Sequence, residues 1–167
     1  NRIESLSKCS LRHLTHLYSL ELDSNRISFI EGESFIEFNR LMALELYNNY
    51  LTNISERTLM GLTNLRFLGL EKNQIEFIHE NAFVKLTNLV SIYLHENKLK
   101  NLPASILDLI SNTLICVNMN NNPIEIVKKG SINKNTNKKL DIRISLLKIN
   151  GGDLSQIDFS YLETLNW

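Results

Sequence analysis

The sequence predicts a repeat solenoid, and three observations predict it. The stretch LRFLGLEKNQIEFI, Leu65 to Ile78, holds aliphatic residues at its first, fourth, sixth, eleventh and fourteenth places around a single asparagine, Asn73. That spacing suits neither a helix nor a long strand, because it alternates only briefly and then bends at the asparagine. The same pattern returns in Leu17, Leu20, Leu22, Asn25, Ile27 and Ile30, again from Leu41 to Ile54, and again from Leu89 to Leu102. The asparagines at 25, 49, 73 and 97 keep a period of 24, which Asn1, Ile3 and Leu6 extend backward in register. A fixed period of this length marks a chain that stacks one supersecondary unit on the next.

The motif L-x-x-L-x-L-x-x-N-x-L resembles the leucine-rich repeat, and the resemblance covers nearly the whole chain. It implies an α/β-type solenoid: a curved array with a parallel β-sheet on its concave face and a mostly irregular or short helical convex side. Strands are then expected to centre on Leu20–Leu22, Leu44–Leu46, Leu68–Leu70, Ile92–Leu94 and Val117–Met119. The asparagine has a physical task in such an array. Where the chain leaves the strand and turns inward, backbone groups are buried without a ladder partner, each costing about 1–3 kcal/mol if left unpaired. An Asn amide is donor and acceptor at once, so it can bridge adjacent turns. Inward Phe35 and Phe83, each followed three places on by Phe38 or Leu86, resemble the 24-residue repeat of animal extracellular proteins. The Gly-x-Ile-Pro of plant receptors is absent.

Residues 1–127 therefore read as regular repeats, the fifth strand unit being shifted by one residue because LPASILDLISNT is one longer than its equivalents. Residues 128–143, which contain KKGSINKNTNKK, read as a polar, basic insertion loop. Residues 144–167 read as a degenerate repeat, with Ile144, Leu147, Ile149 and Leu154 in register and Gly152 in place of Asn, or as an atypical terminal cap. Asn122-Pro123 is followed by Ile124, so the cysteine-rich cap that usually closes the family's arrays is missing, and the 167 residues are expected to be an excerpt of a longer protein.

Composition fits one continuous core: 43% of residues are hydrophobic, and two prolines and six glycines interrupt them. Net charge is zero, which removes the simplest case for nucleic-acid binding, and no membrane insertion is expected within this segment. Basic and acidic residues number 11 and 14 up to Val127, and 7 and 4 after it, an asymmetry small enough for ordinary surface charge. Cys9 and Cys116 fall on repeats about 24 Å apart at strand spacing, beyond the roughly 7 Å that a disulfide tolerates between Cα atoms. They are expected as two small unpaired hydrophobes or as partners of residues elsewhere. His13, His16, His79 and His95 occupy different repeat positions with no ligand spacing, and no phosphate loop, nucleophile elbow or zinc motif occurs. No catalytic residue, cofactor or metal is expected, and the chain is not read as an enzyme.

Function is expected on the concave sheet, where residues between the leucines stand in columns about 4.8 Å apart along the solenoid. One column reads Asp23, Tyr47, Glu71, His95, Asn120; its neighbour reads Glu21, Glu45, Gly69, Tyr93, Asn118; a third reads Ser19, Ala43, Phe67, Ser91, Cys116. Tyr47, Phe67 and Tyr93 form a central aromatic group, with Glu21, Asp23, Glu45 and Glu71 toward the N-terminal side and His95 beyond. Exposed rings beside charges suit a protein-binding hot spot. The plain alternative is a solvated face carrying β-favouring aromatics. A glycosylation sequon, Asn53-Ile54-Ser55, lies on the turn after the second expected strand.

Among families with this repeat, the Asn- and Lys-rich wording and IYLHENKL resemble arthropod Toll-type receptor ectodomains and the secreted leucine-rich immune proteins of mosquitoes. The resemblance implies an extracellular address, secreted or ectodomain, a protein partner or pathogen-derived ligand, and in the mosquito case a homo- or heterodimer that holds a complement-like effector. Two functions follow: an innate-immune recognition or assembly module binding through its concave face, or a cell-adhesion or matrix-scaffold protein using its edge or outer surface. An intracellular adaptor is a further alternative. The loop has too little apolar surface to offset its ordering entropy, so limited trypsin digestion should cut first between Lys128 and Lys139; resistance there would indicate a docked partner.

Overall fold

Alternation of polar and aliphatic residues in Ser19-Leu20-Glu21 and its equivalents puts every second side chain on one side of an extended segment, the geometry of a half-buried strand. The computed structural model describes residues 1–101, 106, 116–124 and 141–143. Its strands are β1 (Ser5–Leu6), β2 (Ser19–Glu21), β3 (Phe29–Ile30), β4 (Ala43–Glu45), β5 (Asn53–Ile54), β6 (Phe67–Gly69), β7 (Phe77–Ile78), β8 (Ser91–Tyr93), β9 (Cys116–Asn118) and β10 (Asp141–Arg143), and a short helix, α1, spans Lys8–Leu11. A single six-stranded sheet runs in the order β10-β9-β8-β6-β4-β2, and all its pairings are parallel. Each repeat returns to the same edge before it enters its strand, so successive strands point the same way.

Every expected strand is present, beginning one residue ahead of its expected centre, and the ladder runs past it: Leu22 N donates to Glu45 O, Leu46 N to Gly69 O and Leu70 N to Tyr93 O. The registers Leu44↔Leu68, Leu68↔Ile92 and Ile92↔Val117 stack equivalent positions. The one-residue shift is visible as the step from Ser91 to Cys116, which are register partners. β10 lies inside the segment expected as loop, at its last three residues, and places Ile142 opposite Val117. The remainder of the expected loop and of the 144–167 unit lies outside the described residues.

The interior is aliphatic in layers. Leu41, Leu44, Leu46, Leu65, Leu68, Leu70, Leu89, Ile92 and Leu94 line the sheet side and are fully buried. Ile27, Leu51, Ile75 and Leu99 follow the turn, and Phe35, Phe38, Leu59, Leu62, Phe83 and Leu86 close the far side, with the Phe35 and Phe38 rings edge-on at 5.7 Å. The far side is irregular, as expected. α1 is capped by Ser7, which exchanges hydrogen bonds with Ser10, and Ser55 with Thr58 repeats the device two turns on. Gly61 adopts φ +99°, and a Cβ there would meet the Phe35 carbonyl and stand 2.5 Å from Ile36 Cα. Glycine is required there by the closeness of two backbones.

The asparagines span this interior. Asn73 Oδ1 accepts from Leu51 N at 3.0 Å, and its Nδ2 donates to Leu46 O at 3.0 Å and Leu70 O at 3.1 Å. Asn49, Asn97 and Asn122 repeat the arrangement. The residue before each ladder asparagine is left-handed: Ser24, Asn48, Lys72, Glu96 and Asn121 have φ between 52° and 57°. None is glycine, so each turn carries backbone strain that the asparagine side chain offsets. Replacing Asn73 by Ala should cost about 1–3 kcal/mol by orphaning buried groups, read as a lower urea midpoint. Asn64→Ala, which removes an exposed bond to Asn39 O, should change little. Equal midpoints for the two variants would refute the role.

Candidate functional site

Registers Ser19↔Ala43↔Phe67↔Ser91↔Cys116 and Glu21↔Glu45↔Gly69↔Tyr93↔Asn118 reproduce two of the expected columns. The third continues beyond the strands, where Ser24, Asn48, Lys72 and Glu96 donate their N–H groups to the carbonyls of Tyr47, Glu71, His95 and Asn120. All eight concave residues singled out from the sequence therefore stand on one face. Glu21 is exposed, and Asp23, Glu45, Tyr47, Phe67, Glu71, Tyr93 and His95 are half-buried.

Within that face the residues separate into two groups. Phe67 and Tyr93 lie on adjacent strands with ring centroids 5.3 Å apart, and the His95 ring meets Tyr93 edge-on at 6.3 Å. Cys116 continues the patch, its Sγ 4.0 Å from the Tyr93 hydroxyl. Tyr47 makes no ring contact in this cluster and belongs to the acidic group instead. Asp23 beside its hydroxyl, by hydrogen bond and then by charge, holds the phenol proton on and raises its pKa above the ordinary value. The Tyr93 phenol is also raised, by burial first and then by Cys116.

Gly69 joins the groups. A Cβ at this position would lie 2.5 Å from Glu45 Oε2, 3.3 Å from Glu71 Oε2 and 3.5 Å from the Phe67 ring. The space a side chain would fill is taken by two carboxylate oxygens and a ring edge. Glu71 Oε2 is buried without a hydrogen-bond partner, as is His95 Nδ1 in the same column. Burial raises the pKa of Glu45, and the negative charges of Glu71, Asp23 and Glu21 raise it further. The face thus presents an aromatic surface flanked by crowded carboxylates. Sequence reasoning placed Gly69 and Cys116 in their columns without assigning them a part. The signal was the missing side chain at 69, a gap between Glu45 and Tyr93 that only an adjacent long residue can cover.

Cys9 and Cys116 are both free, Cys9 exposed and Cys116 half-buried. Among the described residues no group of three or more His, Cys, Asp or Glu side chains could hold a metal ion, and no helix is long and apolar enough to cross a membrane. Asn53 is exposed at the start of β5, away from the sheet.

Residues 15–75 match the family model for the leucine rich repeat. No curated protein matches the chain. Among solved structures, the chain is similar to one from the Toll–Spatzle complex, a hub in Drosophila development and innate immunity, at a TM-score of 0.69 and 29% identity over 81% of this chain and 19% of that one. The glycosylated form of the same complex gives 0.68 and 28% over 81% and 19%. TLR13 in complex with ssRNA13 gives 0.68 and 29% over 77% and 18%. The chain thus spans less than a fifth of the length of each solved chain. Asparagine ladder, parallel sheet and these likenesses agree: residues 15–75 carry the leucine-rich repeat, and the array resembles Toll-type ectodomains.

Proposed function

We propose that the chain is a binding module of innate-immune recognition or assembly, working outside the cell, and that it holds a protein partner on its concave face. The observation that carries the reading is the Phe67–Tyr93–His95 ring cluster lying against the Glu45 and Glu71 carboxylates over Gly69. Rings in this setting offer large contact area at small entropic cost. The solved structures it resembles are complexes with Spatzle in one case and with ssRNA13 in the other, and the charge of this face favours a protein ligand over a polyanion. Glu21, Asp23, Glu45 and Glu71 repel a polyanion at contact distances, well within the Debye length of about 8 Å at physiological salt. A basic protein surface relieves the same crowding, and Glu71 Oε2 gains a partner.

The adhesion or scaffold alternative draws on another observation, the exposed Phe29 and Phe77 rings on the flank of the array. It predicts binding that ignores every concave substitution. Binding, not catalysis, is the function read from either surface.

Replacing Tyr47 and Tyr93 together by Ala should weaken a basic protein ligand by more than about 2 kcal/mol if both are hot spots, with little loss of stability because neither fills the core. Titration calorimetry at rising salt should show affinity falling as the carboxylates are screened. Undiminished affinity in the folded double variant would move the interface off this face.

The crowded carboxylate makes a separate prediction about stability. Glu45 has a folded-state pKa above its unfolded value, near 4.5, so the native state binds the proton more tightly than the unfolded chain. Its charged form opposes folding above the folded pKa, and that opposition fades as pH falls from there toward 4.5. Glu45→Gln should therefore raise the melting temperature at neutral pH and narrow the gap to the parent as pH falls through this window. A lower melting temperature at neutral pH would contradict the assignment.

A further inference from the structure

Phe29 and Phe77 are 61% and 60% exposed, large rings left in solvent, whereas Phe35, Phe38 and Phe83 are buried. They occupy the same place in their repeats, and the position between them, 24 residues from each, is Asn53. Asn53 and Phe77 are direct register partners in the β5–β7 pair, and Phe29 stands at the matching position of the preceding repeat, whose Ile27 O accepts from Tyr50 N at 2.9 Å. Neighbouring strands lie about 4.8 Å apart, so both rings flank the asparagine at one repeat's distance. His79 meets Phe77 edge-on at 6.5 Å.

Asn53 differs from the ladder asparagines in every respect that matters. Its side chain is exposed, and its Nδ2 makes one weak bond, to Thr52 Oγ1 at 3.3 Å, with no buried backbone group depending on it. It also begins Asn53-Ile54-Ser55, the chain's single Asn-x-Ser/Thr triplet. We propose that Asn53 carries an N-linked oligosaccharide whose first sugar packs on the rings of Phe29 and Phe77, closing this flank of the array to protein partners. The donor is an oligosaccharide linked to a lipid pyrophosphate. The Asn53 Nδ2 forms a bond to the sugar's C1 and loses one proton, the C1–O bond to pyrophosphate breaks, and the lipid pyrophosphate leaves with the electron pair. No oxidant or reductant takes part. The C–H bonds on the apolar face of a pyranose then meet the electron-rich faces of the flanking rings. The rings are thereby covered by a group the chain itself carries, which accounts for large apolar residues at a position where other repeats hold Ser5 and Asn101.

The modification needs passage through the secretory pathway, so the test supplies it. The chain fused to a cleavable secretion signal is expressed in cultured eukaryotic cells, and the secreted product is treated with a glycan-releasing amidase in heavy-oxygen water. Peptide mass spectrometry should find the label at position 53 in most chains. Binding of a hydrophobic dye should rise several-fold on glycan release in the parent and stay low throughout in Phe29→Ser/Phe77→Ser. Sugar C–H proton signals should be shifted upfield by the ring currents. An unlabelled position 53 in secreted, folded chain overturns the proposal. Labelled chain with unchanged dye binding and unshifted sugar signals overturns the packing on the rings. The parent measured before and after release suffices if the double variant does not fold. None of these outcomes bears on the concave face, whose failure is read from the Tyr47 and Tyr93 variants.

Discussion

Everything in the array depends on how one carbonyl per repeat is shared. Leu22 O accepts from Asn25 and Asn49, Leu46 O from Asn49 and Asn73, Leu70 O from Asn73 and Asn97, and Leu94 O from Asn97 and Asn122. Each oxygen thus uses both lone pairs on two amides from consecutive repeats. Buried polar groups that an aliphatic interior would otherwise leave unpaired become a continuous chain of bonds. The left-handed residues Ser24, Asn48, Lys72 and Glu96 are each held twice, by their own N–H on the next repeat's carbonyl and by the asparagine side chain that follows, and the sheet strands keep a common register.

Because that register is set from below, the residues between the aliphatics are free to vary. Ser19, Ala43, Phe67, Ser91 and Cys116 share one column and have little in common chemically. Gly69 can be tolerated in a strand interior, where glycine ordinarily weakens pairing, since the ladder and the core hold the backbone on either side. The resulting gap lets Glu45 and Glu71 fold over the backbone beside Phe67, and the crowding raises the Glu45 pKa through burial and the neighbouring charges.

The parts legible in the sequence were those that obey the period. Asn25, Asn49, Asn73 and Asn97 announce the turn, and alternation about Leu44 or Leu68 announces the strand, because each is a local rule repeated until chance is excluded. The columns followed by counting. The separation of Tyr47 from the Phe67–Tyr93 pair did not, because it depends on rotamers and on Asp23 lying beside the Tyr47 hydroxyl. The second set of asparagine bonds, Asn64 to Asn39 O and Asn88 to Thr63 O, was also invisible, since those residues lie in polar turns where Asn is common for other reasons. β10 fell where composition suggested loop, because a three-residue strand with one aliphatic residue carries almost no periodic signal.

The uniform spacing of the pairings has a kinetic meaning. Register partners in the regular part of the main sheet are always 24 residues apart, and 25 where a repeat is longer. Closing each turn therefore costs nearly the same chain entropy as closing the one before it, and no contact awaits the meeting of distant ends. Once two neighbouring turns have formed, the next adds to an existing edge at constant cost, as in a one-dimensional lattice. Such a chain can begin folding at any interior pair and grow outward while it is still being synthesised, with the asparagine of each arriving turn as the catch that keeps it from fraying.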